Sequence, residues 1–142
     1  MKKLLLLALV CMALACKKSA SDNMTKYNWT ISSAVVTPAM TIDGKTSTDF
    51  LAIGNASTCL TGLTYIFNEN GTFVTSSNGP LCDRAPESPS QKWTRNGNIV
   101  KLNYGGGGRE AALNGDKLII VDKSTKDNVE YTIVTTLIAK QK

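Results

Sequence analysis

The chain has 142 residues, the length of a single domain of about 100 to 200 residues. Hydrophobic residues make up 42% of it and charged residues 19%, which excludes an intrinsically disordered chain. The formal net charge is only +5, and it falls to +3 if Lys2 and Lys3 leave with the N-terminal segment, so nucleic-acid binding has no support in the composition. Histidine is absent, which removes the usual general base and the commonest zinc ligand and argues against most hydrolases.

The N-terminus carries a predicted export signal over residues 1–15. Met1-Lys2-Lys3 is basic, and the next 12 residues, Leu4 to Ala15, are apolar, which is the pattern of a secretory signal peptide. This run is too short to cross a hydrocarbon core that needs about 20 residues. It ends in Ala13-Leu14-Ala15-Cys16, which resembles a bacterial lipobox. The resemblance implies that Cys16 is acylated and becomes the mature N-terminus, and a plain signal peptide is the alternative.

Residues 16–26 are predicted to be the acylated cysteine and a flexible tether. The stretch is polar and has no apolar periodicity, so we expect the folded domain at residues 27–142. Several acyl chains, each contributing about 0.8 kcal/mol per buried CH2 group, would hold the protein on a membrane. No Asp follows Cys16, and by resemblance to lipoprotein sorting rules this favours the outer membrane, with the domain facing the periplasm.

From Tyr27 onward, apolar residues alternate with polar ones, and no segment keeps a helical period. Three Asn-Gly pairs, at residues 70–71, 96–97 and 114–115, provide the positive φ angles that tight hairpin turns require. Because closure removes unpaired edges, we predict an all-β fold, an antiparallel up-and-down barrel of eight strands. Residues 37–57 stay open, with a short helix or strand around Phe50–Ile53. The predicted strands are Tyr27–Val36, Leu63–Asn68, Thr72–Ser77, Gln91–Arg95, Asn98–Tyr104, Arg109–Leu113, Lys117–Asp122 and Val129–Ala139.

Cys59 and Cys82 are the two cysteines of the predicted folded domain. If Phe67 faces Phe73 across the Asn70-Gly71 turn, the hairpin register brings the cysteines to within one residue of facing each other, an offset that a bulge can absorb. In an oxidising compartment this predicts a structural disulfide. A redox pair or a metal site is the alternative, but the sequence offers neither CxxC spacing nor further ligands.

Several landmarks follow one another along the chain: the lipobox, Trp29, Cys59, the hairpin Tyr65–Phe73, Cys82 and Trp93. Together they resemble the lipocalin-like domains of small Bacteroidota envelope lipoproteins, over most of the mature chain. The resemblance implies a small calycin-type β-barrel, a class whose relatives often hold one apolar small molecule. The chain departs from true lipocalins at their Gly-x-Trp motif, because Tyr27-Asn28-Trp29 has no Gly.

Alternation from an inward Trp29 predicts which residues fill the barrel, and the inward set includes Val35 and Val129. Most of the set is large, and eight strands leave room only for side chains or for one small ligand. We therefore expect a filled core and a shallow pocket near one open end, where tyrosine hydroxyls would orient a guest. The candidate pocket residues are Trp29, Tyr65, Phe67, Phe73, Trp93, Tyr104 and Tyr131.

An apolar strand and a run of four glycines complete the predicted domain. Leu118–Val121 is apolar on both faces, so we expect either the segment Thr37–Ile53 or a protein partner to cover its outer face, and we favour the first. Gly105–Gly108 is read as a flexible hairpin loop, because no Lys-Ser/Thr follows it as in a phosphate-binding loop. Arg109, beside this loop, is read as a surface charge.

The sequence thus predicts a non-enzymatic envelope lipoprotein whose barrel binds a small apolar or amphipathic molecule near an open end. The alternative is an interaction or structural module of the envelope, with a filled barrel, no small ligand and a protein partner. An enzyme is not expected, because Asp43, Asp49 and Glu69 sit among turn residues, where solvation is the ordinary role of a carboxylate. No cofactor and no metal are predicted.

Overall fold

The structure is a computed structural model that describes residues 24–53, 62–77 and 91–142. Single 3-10 turns occur at Met24–Lys26 and Phe50–Ala52, and every other regular element in these ranges is a β-strand. The strands are β1 (Tyr27–Ile42), β2 (Lys45–Asp49), β3 (Leu63–Phe67), β4 (Phe73–Ser77), β5 (Lys92–Asn96), β6 (Ile99–Asn103), β7 (Gly108–Asn114), β8 (Lys117–Lys126) and β9 (Val129–Gln141).

Eight of these strands form a nearly closed antiparallel barrel in the order β4-β3-β1-β9-β8-β7-β6-β5. The first and last strands are neighbours, with a register that runs from the pair Tyr27 and Gln141 to the pair Thr37 and Thr132. The Asn-Gly pairs lie in the turns of the β3–β4, β5–β6 and β7–β8 hairpins, each with a glycine at positive φ. The prediction of an all-β, up-and-down, lipocalin-like barrel is confirmed.

The barrel closes at a seam between β4 and β5 that is held by few contacts. Thr72 and Lys92 form an isolated antiparallel bridge. Two backbone hydrogen bonds flank it: the Phe73 amide donates to the Gln91 carbonyl at 3.2 Å, and the Trp93 amide donates to the Gly71 carbonyl at 2.8 Å. The hairpins on either side, β3–β4 and β5–β6, are each paired along five residues. In the described part of the chain, the seam is therefore the weakest joint of the barrel.

The barrel interior is filled by side chains. Trp29 is fully buried, and its indole Nε1 donates to the Met24 carbonyl at 3.1 Å. Met24 is itself 2% exposed, so the packed core begins three residues before the predicted domain boundary. The buried core residues are Met24, Trp29, Tyr65, Phe67, Phe73, Val100, Leu102, Ala111, Leu113, Leu118, Ile120 and Leu137.

One bulge in β1 changes which residues face inward. The register to β9 shifts between Ile31 and Ser33, and the hydroxyl of the intervening Ser32 donates to the Thr136 carbonyl at 3.0 Å. An extra residue reverses the alternation beyond it, so Ala34 is buried and Val35 is 46% exposed. The prediction of an inward Val35 is wrong for this reason.

The segment left open by the sequence extends the barrel wall. The strand β1 continues to Ile42 and turns back into β2, which pairs with its second half. The 3-10 turn then packs against the inner side of β1 and builds a small second core, which we call the mouth cluster. Its buried residues are Val36, Met40 and Ile53, with Ile42, Phe50, Tyr131 and Ile133 packed against them.

Two outward or peripheral positions differ from prediction. The mouth cluster lies inside the wall, so Thr37–Ile53 leaves the outer face of β8 uncovered and Val121 is 55% exposed. Val129 is 39% exposed, because it pairs with Lys126 at the tip of the β8–β9 hairpin, beyond the barrel. The predicted signal, acylated Cys16, and the predicted disulfide between Cys59 and Cys82 lie outside the described residues.

Candidate ligand cavity

The barrel has a cavity of about 370 Å³ at the end opposite the Asn-Gly turns, which we call the mouth cavity. Its floor is apolar and is lined by Ile31 and Ala34 of β1 and by Ile120 of β8. Phe50 and Leu51 of the 3-10 turn contribute a further apolar wall. The mouth cavity exists because the second half of β1 carries this turn over the end of the filled barrel.

Charged residues line the other side of the mouth cavity. Arg109 lies opposite the buried Leu102, and Asp122 lies opposite Ile133, so both charged side chains belong to the inner face of the sheet. The Arg109 Nε atom is 3.2 Å from the Asp122 Oδ1 atom, and the two side chains are 50% and 30% exposed. Lys123 also lines the cavity. One side of the mouth cavity is therefore apolar and the other is charged.

A second space of about 320 Å³, which we call the glycine chamber, adjoins the mouth cavity, since Tyr65 and Arg109 line both. Its other lining residues are Tyr104 and Gly106–Gly108. The Tyr104 amide donates to the Gly107 carbonyl at 3.0 Å, which closes the loop into a compact turn. Because the glycines bring no side chains, the two phenols and the guanidinium set the chemistry of the glycine chamber.

The Tyr104 hydroxyl oxygen is buried and makes no hydrogen bond of ordinary geometry to the described residues, although the Tyr65 hydroxyl lies close enough to affect its proton. The Arg109 guanidinium carbon lies 5.4 Å from the centroid of the Tyr104 ring, a cation–π contact. Burial raises the pKa of the Tyr104 phenol well above its ordinary value, the neighbouring Tyr65 raises this pKa further, and Arg109 lowers it. The hydroxyl therefore keeps its proton at physiological pH and can donate it in a hydrogen bond.

The structure separates the seven predicted pocket residues into two groups. Tyr65 and Tyr104 meet at the glycine chamber, and Tyr65 also lines the mouth cavity. The other five line neither space: Trp29, Phe67 and Phe73 fill the core, Trp93 packs on Phe67 at the seam with ring centroids 5.3 Å apart, and Tyr131 belongs to the mouth cluster.

The sequence interpretation missed the charged lining. Arg109 is half exposed, in agreement with a surface charge, but it also lines the mouth cavity and pairs there with Asp122, for which the sequence predicts no role. The signal was present: Arg109 stands two residues before the inward Ala111, and Asp122 two residues after the inward Ile120. Strict alternation places both side chains inside. Leu51 had no comparable signal, because its position depends on the turn after β2.

The carboxylates considered in the sequence lie apart from this site. Asp43 and Glu69 are in exposed turns, and Asp49 caps the 3-10 turn, its Oδ1 accepting from the Leu51 amide at 3.0 Å and the Ala52 amide at 3.3 Å. Within residues 24–53, 62–77 and 91–142, no three Cys, Asp or Glu residues are grouped closely enough to bind a metal ion. No helix in those ranges has the length and apolar character needed to cross a membrane.

Comparison with protein-family models, with curated proteins and with solved structures finds no match to this chain.

Proposed function

We propose that the protein is a lipid-anchored lipocalin-like protein of the cell envelope that binds one small amphipathic molecule in the mouth cavity. The observation that carries the proposal is the division of this cavity into an apolar floor, with Ala34 and Ile120, and an ionic side, with Arg109 and Asp122. A purely apolar ligand would leave the charged side chains without polar partners, and a purely polar ligand would bury its polar groups against the apolar floor. An amphipathic guest satisfies both.

The size of the mouth cavity limits the guest. Small-molecule sites span about 300 to 1,000 Å³, and the observed volume of about 370 Å³ lies near the lower end of that range. The barrel interior beyond the floor is occupied, since Leu118 and Leu137 are fully buried there. A long ligand could not thread through the barrel, so we expect a short or compact molecule with part of its surface at the opening.

The test is binding of N-phenyl-1-naphthylamine, an apolar dye whose fluorescence rises on leaving water. Wild-type protein should saturate with about one dye per chain. Leu51→Trp places a large ring at a position that lines the mouth cavity and should weaken binding about tenfold, which corresponds to about 1.4 kcal/mol. Ala52→Trp adds the same ring one residue later at an exposed position that does not line the cavity, and it should bind as wild type does.

Native mass spectrometry of gently purified full-length protein supplies a second readout. A co-purifying small molecule that Leu51→Trp excludes and Ala52→Trp retains would support the proposal. An empty wild-type protein that also fails to bind the dye would end it. Equal dye binding by both tryptophan variants would place the dye elsewhere and would equally reject the mouth cavity as the site.

A second candidate function is an envelope interaction module that binds a protein and no small ligand. The observation that favours it is a row of valines on the outer face of the sheet. Val35 of β1 and Val121 of β8 are 46% and 55% exposed, and both pair with Val134 of β9, which lies between them. An empty cavity together with a co-purifying protein in the same mass measurement would favour this function.

The location in the cell envelope is proposed from the sequence of residues 1–16, which lie outside the described part of the chain. Cys16→Ala removes the thiol to which acyl chains would be attached. The variant should move from the membrane fraction to the soluble fraction after cell lysis, whereas Cys11→Ala, which alters a cysteine within the predicted signal, should stay with the membrane. Unchanged partition of the Cys16 variant would remove the anchor from the proposal.

A further inference from the structure

We infer that the ligand carries an oxyanion headgroup, a carboxylate or a phosphate monoester, and that Tyr104 and Arg109 bind this headgroup in the glycine chamber. The inference rests on the proposed function, because it assigns the headgroup of the same ligand. The apolar part would lie on the floor of the mouth cavity, and the headgroup would pass between Tyr65 and Arg109, which line both spaces.

Arg109 has N–H groups that its ion pair with Asp122 does not use. A guanidinium has five N–H groups in a planar fork that suits oxyanions. The Arg109 Nε atom faces Asp122 at 3.2 Å, and no second carboxylate pairs with Arg109 in the ranges described. Its guanidinium carbon lies 5.4 Å from the centroid of the Tyr104 ring, and this cation–π contact keeps the group beside the glycine chamber. The guanidinium thus lies at the glycine chamber with N–H groups that can donate to a ligand.

The Tyr104 hydroxyl can donate to the same headgroup. It is buried, and in the described part of the chain its only polar approach is a poorly placed one to the Tyr65 hydroxyl, which is unfavourable for a polar group. Arg109 and Tyr104 line the same chamber, so one ligand oxygen atom can accept from the hydroxyl while another accepts from the guanidinium. A neutral alcohol headgroup would satisfy the hydroxyl but would gain little from the positive charge of Arg109.

The charged groups around the mouth cavity leave no carboxylate free for a cationic headgroup. Arg109 and Lys123 line the cavity with one carboxylate, Asp122, and that carboxylate is already paired with Arg109. The exposed Glu130 pairs with Lys123 at 3.1 Å. A cationic headgroup would have to displace Arg109 from Asp122, whereas an oxyanion can accept from the remaining Arg109 N–H groups and from the Tyr104 hydroxyl without breaking that pair.

The experiment compares four ten-carbon ligands that differ only at the headgroup: decanoate, decyl phosphate, decanol and decyltrimethylammonium. Each is titrated into full-length protein below its micelle concentration, with bound N-phenyl-1-naphthylamine as the displaced probe and calorimetry as a direct readout. In the wild type, at least one oxyanion should bind about tenfold or more tightly than both decanol and the cation. The tighter of decanoate and decyl phosphate identifies the headgroup.

Two variants test the residues. Tyr104→Phe keeps the ring and its contact with Arg109 but removes the hydroxyl, and it should weaken oxyanion binding about three- to tenfold. It should weaken decanol binding less, because the hydrogen bond to an alcohol is not charge-assisted, and it should leave binding of the cation unchanged. The double variant R109Q/D122N removes the cation without leaving a carboxylate unpaired, and it should abolish the preference for oxyanions. Its matched control is K101Q/E110Q, which deletes an exposed ion pair of 3.2 Å on the outer face and should behave as wild type.

Several outcomes would overturn the inference. Equal affinity for decanoate, decyl phosphate and decanol in a wild type that binds all of them would reject the oxyanion and leave the proposed function standing. Tighter binding of the cation would do the same. A Tyr104→Phe variant that weakens all four ligands equally, or none, would remove Tyr104 from the site. No binding of any ligand or of the dye would reject the inference and the proposed function together.

Discussion

The seam of the barrel gives a sharp prediction about Trp93. Its indole Nε1 donates to the Asn68 carbonyl at 3.0 Å, and its ring packs edge-on against Phe67. Both contacts join β5 to the β3–β4 hairpin, where the backbone of the described residues contributes two hydrogen bonds, at Phe73 and Trp93. Trp93→Phe keeps an aromatic ring at the site but deletes the indole donor and part of the ring contact.

The expected loss follows from these contacts. A hydrogen bond contributes about 0.5 to 1.5 kcal/mol net. The Asn68 carbonyl also accepts from the Gly71 amide at 3.2 Å and keeps that bond, so the lower part of the range applies. An aromatic pair adds about 0.5 to 1.5 kcal/mol, of which phenylalanine retains a share. We expect Trp93→Phe to lower the free energy of unfolding by about 1 to 2 kcal/mol in total.

The assay is native-state hydrogen exchange of the two seam amides, Phe73 and Trp93. A local loss of about 1.4 kcal/mol reduces their protection about tenfold. The matched control is Trp29→Phe, which also deletes one indole hydrogen bond, to Met24, but on a strand paired along both edges. Trp29→Phe should lower the global free energy of unfolding. The seam amides should then lose only as much protection as this global change accounts for. If both variants change the seam amides alike, the seam is not a separate weak joint.

Three further predictions concern stability. Leu118→Ala, at a fully buried position of β8, should lower the free energy of unfolding by about 2 to 5 kcal/mol, whereas Val121→Ala on the same strand should change it by less than about 0.5 kcal/mol; equal losses in urea denaturation would contradict the assigned faces. The folded state raises the pKa of Tyr104, so the folded protein keeps the phenol proton to a higher pH than the unfolded chain does. The contribution of this group to the free energy of unfolding is therefore fully present below about pH 10 and is lost as the pH rises further. Tyr104→Phe should show a smaller fall between pH 9 and pH 11, and an identical fall would exclude this origin. For the predicted disulfide, Cys59→Ser should melt like reduced wild type, with a loss of about 3 kcal/mol for a loop of about 23 residues closed by Cys59 and Cys82; a variant that melts with oxidised wild type would refute the bridge.

The strands were predictable because two independent signals agree. Alternation marks the strands, and the Asn-Gly pairs mark the turns, so the predicted strands differ from the observed ones mainly at their ends. The prediction that Val35 faces inward was wrong because of the bulge at Ser32, and no Gly, Pro or Asn in this part of β1 indicates that bulge in the sequence. The hairpin of β1 and β2 was missed because Lys45–Asp49 is polar along both faces and gives no period.

The candidate site was predictable only in part. Position along the chain placed Tyr65 and Tyr104 on the inner face, and the structure brings them to the same chamber. Arg109 and Asp122 also follow the alternation, but charged side chains are rarely buried, so their residue type favours the surface and hides their inward position. An ion pair at a barrel opening satisfies both rules, since its atoms reach solvent while its strands keep their register. The 3-10 turn depends on contacts distant in sequence, which local patterns do not encode.

The neighbouring positions of β1 and β9 have a consequence for how the molecule forms. Tyr27 and Gln141 lie at opposite ends of the folded sequence yet pair directly. The edge of β1 that faces β9 therefore has no partner until the last strand has been synthesised, although the other edge can already pair with β3. Such non-local pairing is intrinsically slow. A polypeptide truncated before Val129 would lose the partner shared by β1 and β8 and should persist as an open, aggregation-prone sheet. Delayed closure of this kind is compatible with the proposed export, because a chain that is translocated has to stay unfolded until it has crossed the membrane.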